Sequence, residues 1–449
     1  MGPDIESPKK TNLQTSVNAD TIGKYRWTIC GLIFFATTIN YIDRNVISYL
    51  KSTFTEQLGW TDADYSNVEI TFKIFYAIGM LGAGRIIDRL GTKIGYGLFT
   101  FLWSVAGICT AFVNSVAGFQ MVRGALGVME AGNFPAAIKT VAEWFPKKER
   151  ALATGIFNSG ANIGAIVTPI CVPLILVHWG WKWAFIATGL LGFVWLVFWL
   201  LFYEIPLRHK KVSASELAYI ESDKDEQHDL NEEQPKLSWA KLLGYRQTWA
   251  FIIGKFLTDP IWWFYLFWLP DFFESVYHIK LQSASWPVAA VYLISTIGSV
   301  WGGWLPLNLI RKGAPVFKAR KRSMLLYAFC VLPIFFALIL GRINLWYAVG
   351  VIGIAAAAHQ AWSANIFTTV SDMFPKNSTA SVTGLGGMFG GIGGIALSLF
   401  VQKQMFVHYR AAGHIETAYY IMFAICAGAY LLAWLIMHLL VPKMKAIQL

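Results

Sequence analysis

Residues 84–93 read Gly84-Arg85-Ile86-Ile87-Asp88-Arg89-Leu90-Gly91-Thr92-Lys93, a charged turn set between apolar stretches near 66–87 and 94–113. Each flank is about as long as the roughly 20 apolar residues a helix needs to cross a bilayer, so the turn reads as the loop joining two crossings. Working outward, similar stretches lie near 26–48, 116–139, 151–175 and 182–203, and then near 247–273, 286–310, 323–341, 344–371, 379–402 and 416–441. With 56% of its 449 residues hydrophobic and 14% charged, the chain is too apolar to hide in one soluble core. The expected fold is an all-α integral membrane protein of about twelve transmembrane helices.

The net charge of +11 does not point to nucleic acid, because the cations fall in short clusters between apolar runs rather than along one stripe. Lys9, Lys10 and Lys24, then Arg85, Arg89 and Lys93, then Lys147, Lys148 and Arg150, and later Arg311, Lys312, Lys318, Arg320, Lys321 and Arg322 occupy alternate loops. By the positive-inside rule that side is cytoplasmic, which places both termini there. The opposite loops hold few basic residues, such as Lys51, Lys182 and Lys280. The polar first 25 residues lack the apolar core of a signal peptide, so no cleaved leader is expected.

Lys, Glu, Asp and Gln replace aliphatics over 204–245, where Ser213-Ala214-Ser215-Glu216 can open a short helix. This divides the chain into a half over 1–203, a cytoplasmic linker over 204–245 and a second half over 246–449. A repeat supports two pseudo-symmetric six-helix halves: Phe145-Pro146-Lys147 recurs as Phe374-Pro375-Lys376, and Ala151, Thr154, Gly155 and Gly164 recur at the same offset as Ala380, Thr383, Gly384 and Gly393. The glycines of 384–394 fit no nucleotide-loop spacing; pairs four apart, Gly386 with Gly390 and Gly387 with Gly391, suit close helix packing instead. Cys30, Cys109, Cys171, Cys330 and Cys426 lie scattered in apolar segments and read as packing residues, with no metal spacing.

Ionisable residues inside such stretches are costly, and they usually face a cavity or a partner. Asp43 and Arg44 are neighbours whose side chains diverge by about 100°, so each must find its partner elsewhere. Arg123 and Glu130, seven residues apart, share one helix face about 10 Å apart along the axis. Such ion pairs can merely fix packing. The functional alternative is that the arginines, always charged and fork-shaped, hold an anionic substrate while the carboxylates take up and release protons. Lys255 can meet a substrate carboxylate or simply Asp259 one turn on, and Pro260 is expected to loosen the helix there. Lys73 has a ready local partner in Glu69. By the repeat offset His359 takes the place of Glu130, either as a site residue or as a packing hydrogen-bonder. Gln360, Trp362 and Asn365 beside it offer donors and an aromatic wall.

The turn at 84–93 resembles the loop signature of the major facilitator superfamily. The resemblance implies that Gly84, Asp88, Arg89, Gly91 and Lys93 form a cytoplasmic gate that breaks and re-forms as two halves rock. The segment from Arg123 to Pro135 is similar to the anion:cation symporter branch. There, positions matching Asp43 and Glu130 are implicated in proton coupling, and those matching Tyr41, Arg44, Tyr76 and Arg123 in substrate binding. Phe134-Pro135-Ala136-Ala137-Ile138-Lys139 with Ala142-Glu143-Trp144-Phe145-Pro146-Lys147, the run from Gly254 to Pro270, and His359-Gln360-Ala361-Trp362-Ser363-Ala364-Asn365 resemble hexuronate transporters. Galactonate transporters of the branch carry a glutamine near Lys255, a departure that changes the charge there.

The resemblance implies a proton-coupled symporter of the bacterial inner membrane importing a sugar-acid anion, a hexuronate such as glucuronate or galacturonate, by alternating access. Sodium is the alternative coupling ion. An aldonate such as galactonate or another organic anion is the alternative substrate, and a drug-type exporter the alternative mode. The expected substrate-binding set is Tyr41, Arg44, Tyr76, Arg123, Lys255, His359, Gln360, Trp362 and Asn365. No cofactor, metal or enzymatic constellation is expected, and since one chain holds both halves, a monomer is expected to suffice.

Overall fold

A computed structural model of the protein describes residues 22–222, 237–278, 285–443 and 445–447; Lys9, Lys10, Lys280 and the middle of the linker lie outside them. The described chain is helical with no strand. Its main helices are α1 (Tyr25–Tyr49), α2 (Asp62–Leu90), α3 (Thr92–Cys109), α4 (Val116–Glu130), α5 (Asn133–Trp144), α6 (Lys147–Trp179) and α7 (Trp181–Phe202) in the first half. A short α8 (Ala214–Ile220) follows, then α9 (Arg246–Tyr277), α10 (Ser285–Arg311), α11 (Val316–Val331), α12 (Leu345–Met373), α13 (Thr379–Ala396) and α14 (Ile415–Leu440).

Eight spans among the described residues are long and apolar enough to cross a membrane. The segments α1, α4 with α5, α9 and α12 are not among them. Length does not exclude α1, α9 and α12, which run to 25, 32 and 29 residues; they fall short because they carry polar and ionisable residues singled out above, among them Asp43, Arg44, Lys255 and His359. A break between α4 and α5 leaves them 15 and 12 residues, each too short to cross alone.

The boundaries have local causes. Thr61 and Asp64 cap α2 reciprocally, the Thr61 hydroxyl accepting from the Asp64 N–H and the Asp64 carboxylate accepting from the Thr61 N–H at 2.9 Å. Gly91, at φ 82°, turns the chain between α2 and α3, a conformation that disfavours any residue with a Cβ. The stretch drawn as one helix over 116–139 is broken at Ala131–Gly132. Pro135 explains this, because it has no N–H to give the Ala131 carbonyl and its ring crowds that group. Pro260, by contrast, leaves α9 continuous. Ser213 caps α8 by accepting from the Glu216 N–H, as the serine and glutamate spacing predicts.

Two of the repeated positions, Ala151 with Gly155 and Ala380 with Gly384, are ones on which the halves touch, whereas Gly164 and Gly393 pack within their own halves. A Cβ on Gly155 of α6 would strike the Ser299 carbonyl of α10, and Gly303 of α10 lies against the backbone of Ala151. In the other crossing Gly384 of α13 lies against the Met80 carbonyl of α2, and Gly84 against the backbone of Ala380. Ala151 and Gly155 thus do in one crossing what Ala380 and Gly384 do in the other. The glycine run splits into two faces: Gly386 and Gly390 meet Phe251 and Asp259 of α9, while Gly387 and Gly391 meet Met80 and Ala77 of α2.

Candidate functional site

Between the halves lies a cleft lined from the first half by Tyr41, Arg44, Tyr76, Phe134 and Asn158 and from the second by Lys255, Asp259, Trp262, His359 and Gln360, among others. Arg44 is its central cation on the first-half side. Its Nε donates to Glu130 Oε2 at 3.0 Å and its NH2 to Asn40 Oδ1 at 3.3 Å. The rings of Tyr76, Tyr41 and Phe72 surround the guanidinium at 4.5, 4.7 and 5.4 Å. The Arg44 side chain keeps 20% exposure while Glu130 has none, so the cation faces the opening and its anion stands behind it.

Arg123 does not line the cleft. It donates to the backbone carbonyls of Asp43 and Arg44 at 3.4 and 2.9 Å and so holds in place the turn that presents Arg44. Asp43 is buried, with no ion-pair partner among the described residues and the Thr188 side chain beside its carboxylate. Lys73 pairs with Glu69 at 3.3 Å, the local partner expected for it, and also stays outside the lining.

On the second-half side Lys255 Nζ meets Asp259 Oδ2 at 2.8 Å and sits 3.9 Å from the centre of the Phe367 ring. Of the two partners the spacing allows, substrate or Asp259, the carboxylate is in place and both residues face the cleft. His359 stacks on Trp262 at 5.0 Å, with its Nδ1 2.5 Å from the Tyr430 hydroxyl. Gln360 joins the halves at the floor, its Oε1 accepting from Asn158 at 2.7 Å and its Nε2 donating to Asn162 at 3.1 Å. Trp362 is buried against Tyr430, and Asn365 donates to the Gly302 and Ala361 carbonyls at 2.7 and 2.9 Å; neither lines the cleft. Ser363 and Phe367 take those places, one and two turns beyond His359. Helical spacing from His359 carries the signal that would have found them.

The residues expected to form a gate lie on the side of the described termini, where contacts join the halves. Asp88 Oδ2 accepts from the Ser381 N–H at 2.7 Å and from its hydroxyl at 2.6 Å, in the first turn of α13, while Oδ1 meets Lys139 at 3.0 Å. Lys93 pairs with Glu204 at 2.9 Å, and that hydrogen bond holds the Glu204 carboxyl below its ordinary range. Arg89 is exposed. A second knot is not legible in the sequence, where Arg150 and Arg320 count only as orientation signals. Arg320 bonds Asp372 at 2.5 Å and the Lys147 carbonyl at 2.5 Å, and Arg150 lies 3.5 Å from Asp372 and bonds the Ser371 carbonyl.

Chemically, the cleft offers two cations, each held by one carboxylate, with aromatic walls and amides between them. An anion can displace those carboxylates, and neutralising either one releases its cation. No group of three His, Cys, Asp or Glu suited to a metal occurs among the described residues.

The Major Facilitator Superfamily profile matches residues 33–398. A hexuronate transporter of Escherichia coli K12 is 34% identical over 81% of this chain and 84% of its own length. A galacturonate transporter of Dickeya chrysanthemi is 36% identical over 63% of this chain and 81% of its own. A D-galactonate transporter of Escherichia coli O6:H1 is 29% identical over 86% and 90%. Among solved structures, a proton:xylose symporter superposes with a TM-score of 0.71 at 14% identity, covering 91% of this chain and 95% of that one, a likeness of fold. The Escherichia coli fucose:proton symporter gives 0.67 at 15%, over 93% and 99%. The chain belongs to the Major Facilitator Superfamily: it is a multi-pass membrane transporter and not an enzyme.

Proposed function

We propose that the protein is a proton-coupled symporter that imports a hexuronate such as glucuronate or galacturonate across the bacterial inner membrane, both termini being cytoplasmic and the halves over 1–203 and 246–449 rocking about the cleft. The observation that carries this reading is the Arg44–Glu130 pair at the cleft wall, in a chain whose relatives include hexuronate and galacturonate transporters. A carboxylate substrate competes with Glu130 for the Arg44 fork. A proton on Glu130 removes that competitor, so anion and proton enter together. Asp43, buried beside the same backbone turn, is the second candidate for that proton. Tyr41, Tyr76, His359 and Gln360 supply hydroxyl and ring contacts, and Lys255 supplies a second cation. Arg123 positions Arg44 rather than touching the substrate.

The aldonate reading is kept alive by the galactonate relative. An exporter of amphipathic drugs suits the cleft poorly, since two cations face it. The test is uptake of radiolabelled glucuronate into proteoliposomes under an inward proton gradient, with galactonate as competitor and Glu130→Gln alongside. Accumulation in the parent that is lost in the variant, while counterflow exchange survives, supports the reading. No accumulation of either acid under a proton or a sodium gradient refutes it.

A further inference from the structure

We infer that Asp259 is a proton-responsive carboxylate of the transport cycle: taking up a proton from the open cleft frees Lys255 for the substrate anion, so the second half carries a coupling pair of its own. The inference rests on the symporter reading and adds a coupling residue to it.

Four observations carry it. The Lys255–Asp259 pair lines the same cleft as Arg44, with one cation and one carboxylate from each half in contact at 2.8 and 3.0 Å. Those four charges sum to zero, so a monoanion arriving in this low-dielectric space leaves it net negative unless a carboxylate is neutralised. Asp259 keeps 20% exposure where Glu130 has none, which makes it the carboxylate that a proton from the opening reaches first. Lys255 has a second hold in the face of Phe367 at 3.9 Å, so losing the Asp259 charge leaves the ammonium in place and available.

The surroundings fit a group that switches. From the first half, Tyr41 on α1 and Tyr76 on α2 come within electrostatic range of Asp259, as does Tyr430 on α14. His359 on α12 lies within range of Lys255. On α13 the neighbour is Gly390, and a Cβ there would strike Asp259 Oδ2. Lys255 is therefore the cation facing Asp259 among these groups, and protonation exchanges one ionic contact for one neutral hydroxyl. The glycine also ties the carboxylate to α13, the helix that crosses to the other half at Gly384. The step is a proton transfer only: an O–H bond forms on Asp259 on the loading side and breaks on the releasing side, while Lys255 keeps its own protons.

The test counts protons. Detergent-solubilised full-length protein, titrated with glucuronate in weakly buffered solution with a pH indicator, is expected to take up one proton fewer per bound substrate in Asp259→Asn than in the parent. An unchanged count overturns the inference, and a merely structural Asp259 predicts that unchanged count. Should Asp259→Asn not survive solubilisation, the double variant Lys255→Gln/Asp259→Asn removes the pair together and leaves no unpaired charge. It too is expected to take up one proton fewer per bound glucuronate than the parent, and an unchanged count overturns the inference. Failure of the parent itself to bind or move any sugar acid refutes the symporter reading instead, so the two failures read differently.

Discussion

Replacing Ser381 by alanine weakens the seal on the side of the termini by an amount that can be worked from its contacts. The hydroxyl donates to a buried, charged Asp88 oxygen at 2.6 Å, across the two halves. A hydrogen bond to a charged group contributes about 1.5–3 kcal/mol. The Ser381 N–H bond to the same oxygen, at 2.7 Å, survives the substitution, so the loss is that of one bond and not of the whole latch. At about 1.4 kcal/mol per tenfold, the population open on this side rises by about 10- to 100-fold. A cysteine at Thr383, buried here one residue before the Gly384 crossing, reports that population when the five native cysteines are replaced by alanine. While the open state is rare, the maleimide labelling rate in detergent follows its population, so the rate should rise by the same factor. A rate within twofold of the parent would refute the assignment of the Asp88–Ser381 contact as the latch.

Gly390→Ala should displace Asp259 from its place against α13 and cut uptake at least tenfold, whereas Gly350→Ala, in open space on α12, should leave uptake near the parent. Trp362→Phe should keep substrate affinity within about threefold in a binding titration, because the indole Nε1 is buried without a partner and the ring lies outside the cleft lining. Lys93→Ala removes the hydrogen bond that depresses the Glu204 carboxyl. A depressed folded value stabilises above the ordinary carboxylate range, and that stability is lost as pH falls through the folded value. With the side chains 33% and 37% exposed, screening keeps the contribution below about 1 kcal/mol. Thermal unfolding should therefore shift by no more than about 2 °C at pH 7, and the shift should vanish as the pH is taken below the folded Glu204 value.

An ionisable residue in an apolar stretch announces itself, because its cost in lipid demands a partner or a cavity; Arg44, Glu130 and Lys255 were legible for that reason. Their partners were not equally legible. Lys255 and Asp259 are one turn apart on a single helix, so spacing alone pairs them. Arg44 and Glu130 are 86 residues apart on different helices, and only the tertiary arrangement brings the two side chains together. The residues 359–365 show a different limit. Polar and aromatic character drew attention to Trp362 and Asn365, but helix phase decides what faces a cleft, and phase selects Ser363 and Phe367. The loop cations misled in a third way. Arg150 and Arg320 count toward orientation like any basic residue, yet burial gives them a second task on Asp372 that charge statistics do not contain.

The contacts that join the halves are of two kinds. On the side of the termini, glycine lets backbone meet backbone at Gly84, Gly155, Gly303 and Gly384, and charged bonds at Asp88 and Asp372 add to that contact. At the floor, the bonds between halves run from neutral amides, Gln360 to Asn158 and Asn162, each contributing about 1 kcal/mol. A hydroxylated substrate that reaches Gln360 replaces those bonds with others of the same kind at little net cost. It cannot do the same for a carboxylate–serine bond to which it has no access. Substrate binding can therefore rearrange the floor directly, while it acts on the seal through the helices that carry both contacts, α6 with Arg150 and α12 with Asp372. A ligand shifts such an equilibrium only by binding one state better than the other. In this cleft the difference must come from contacts that both halves contribute at once, and the two cations, Arg44 from one half and Lys255 from the other, are placed to make them on a single anion.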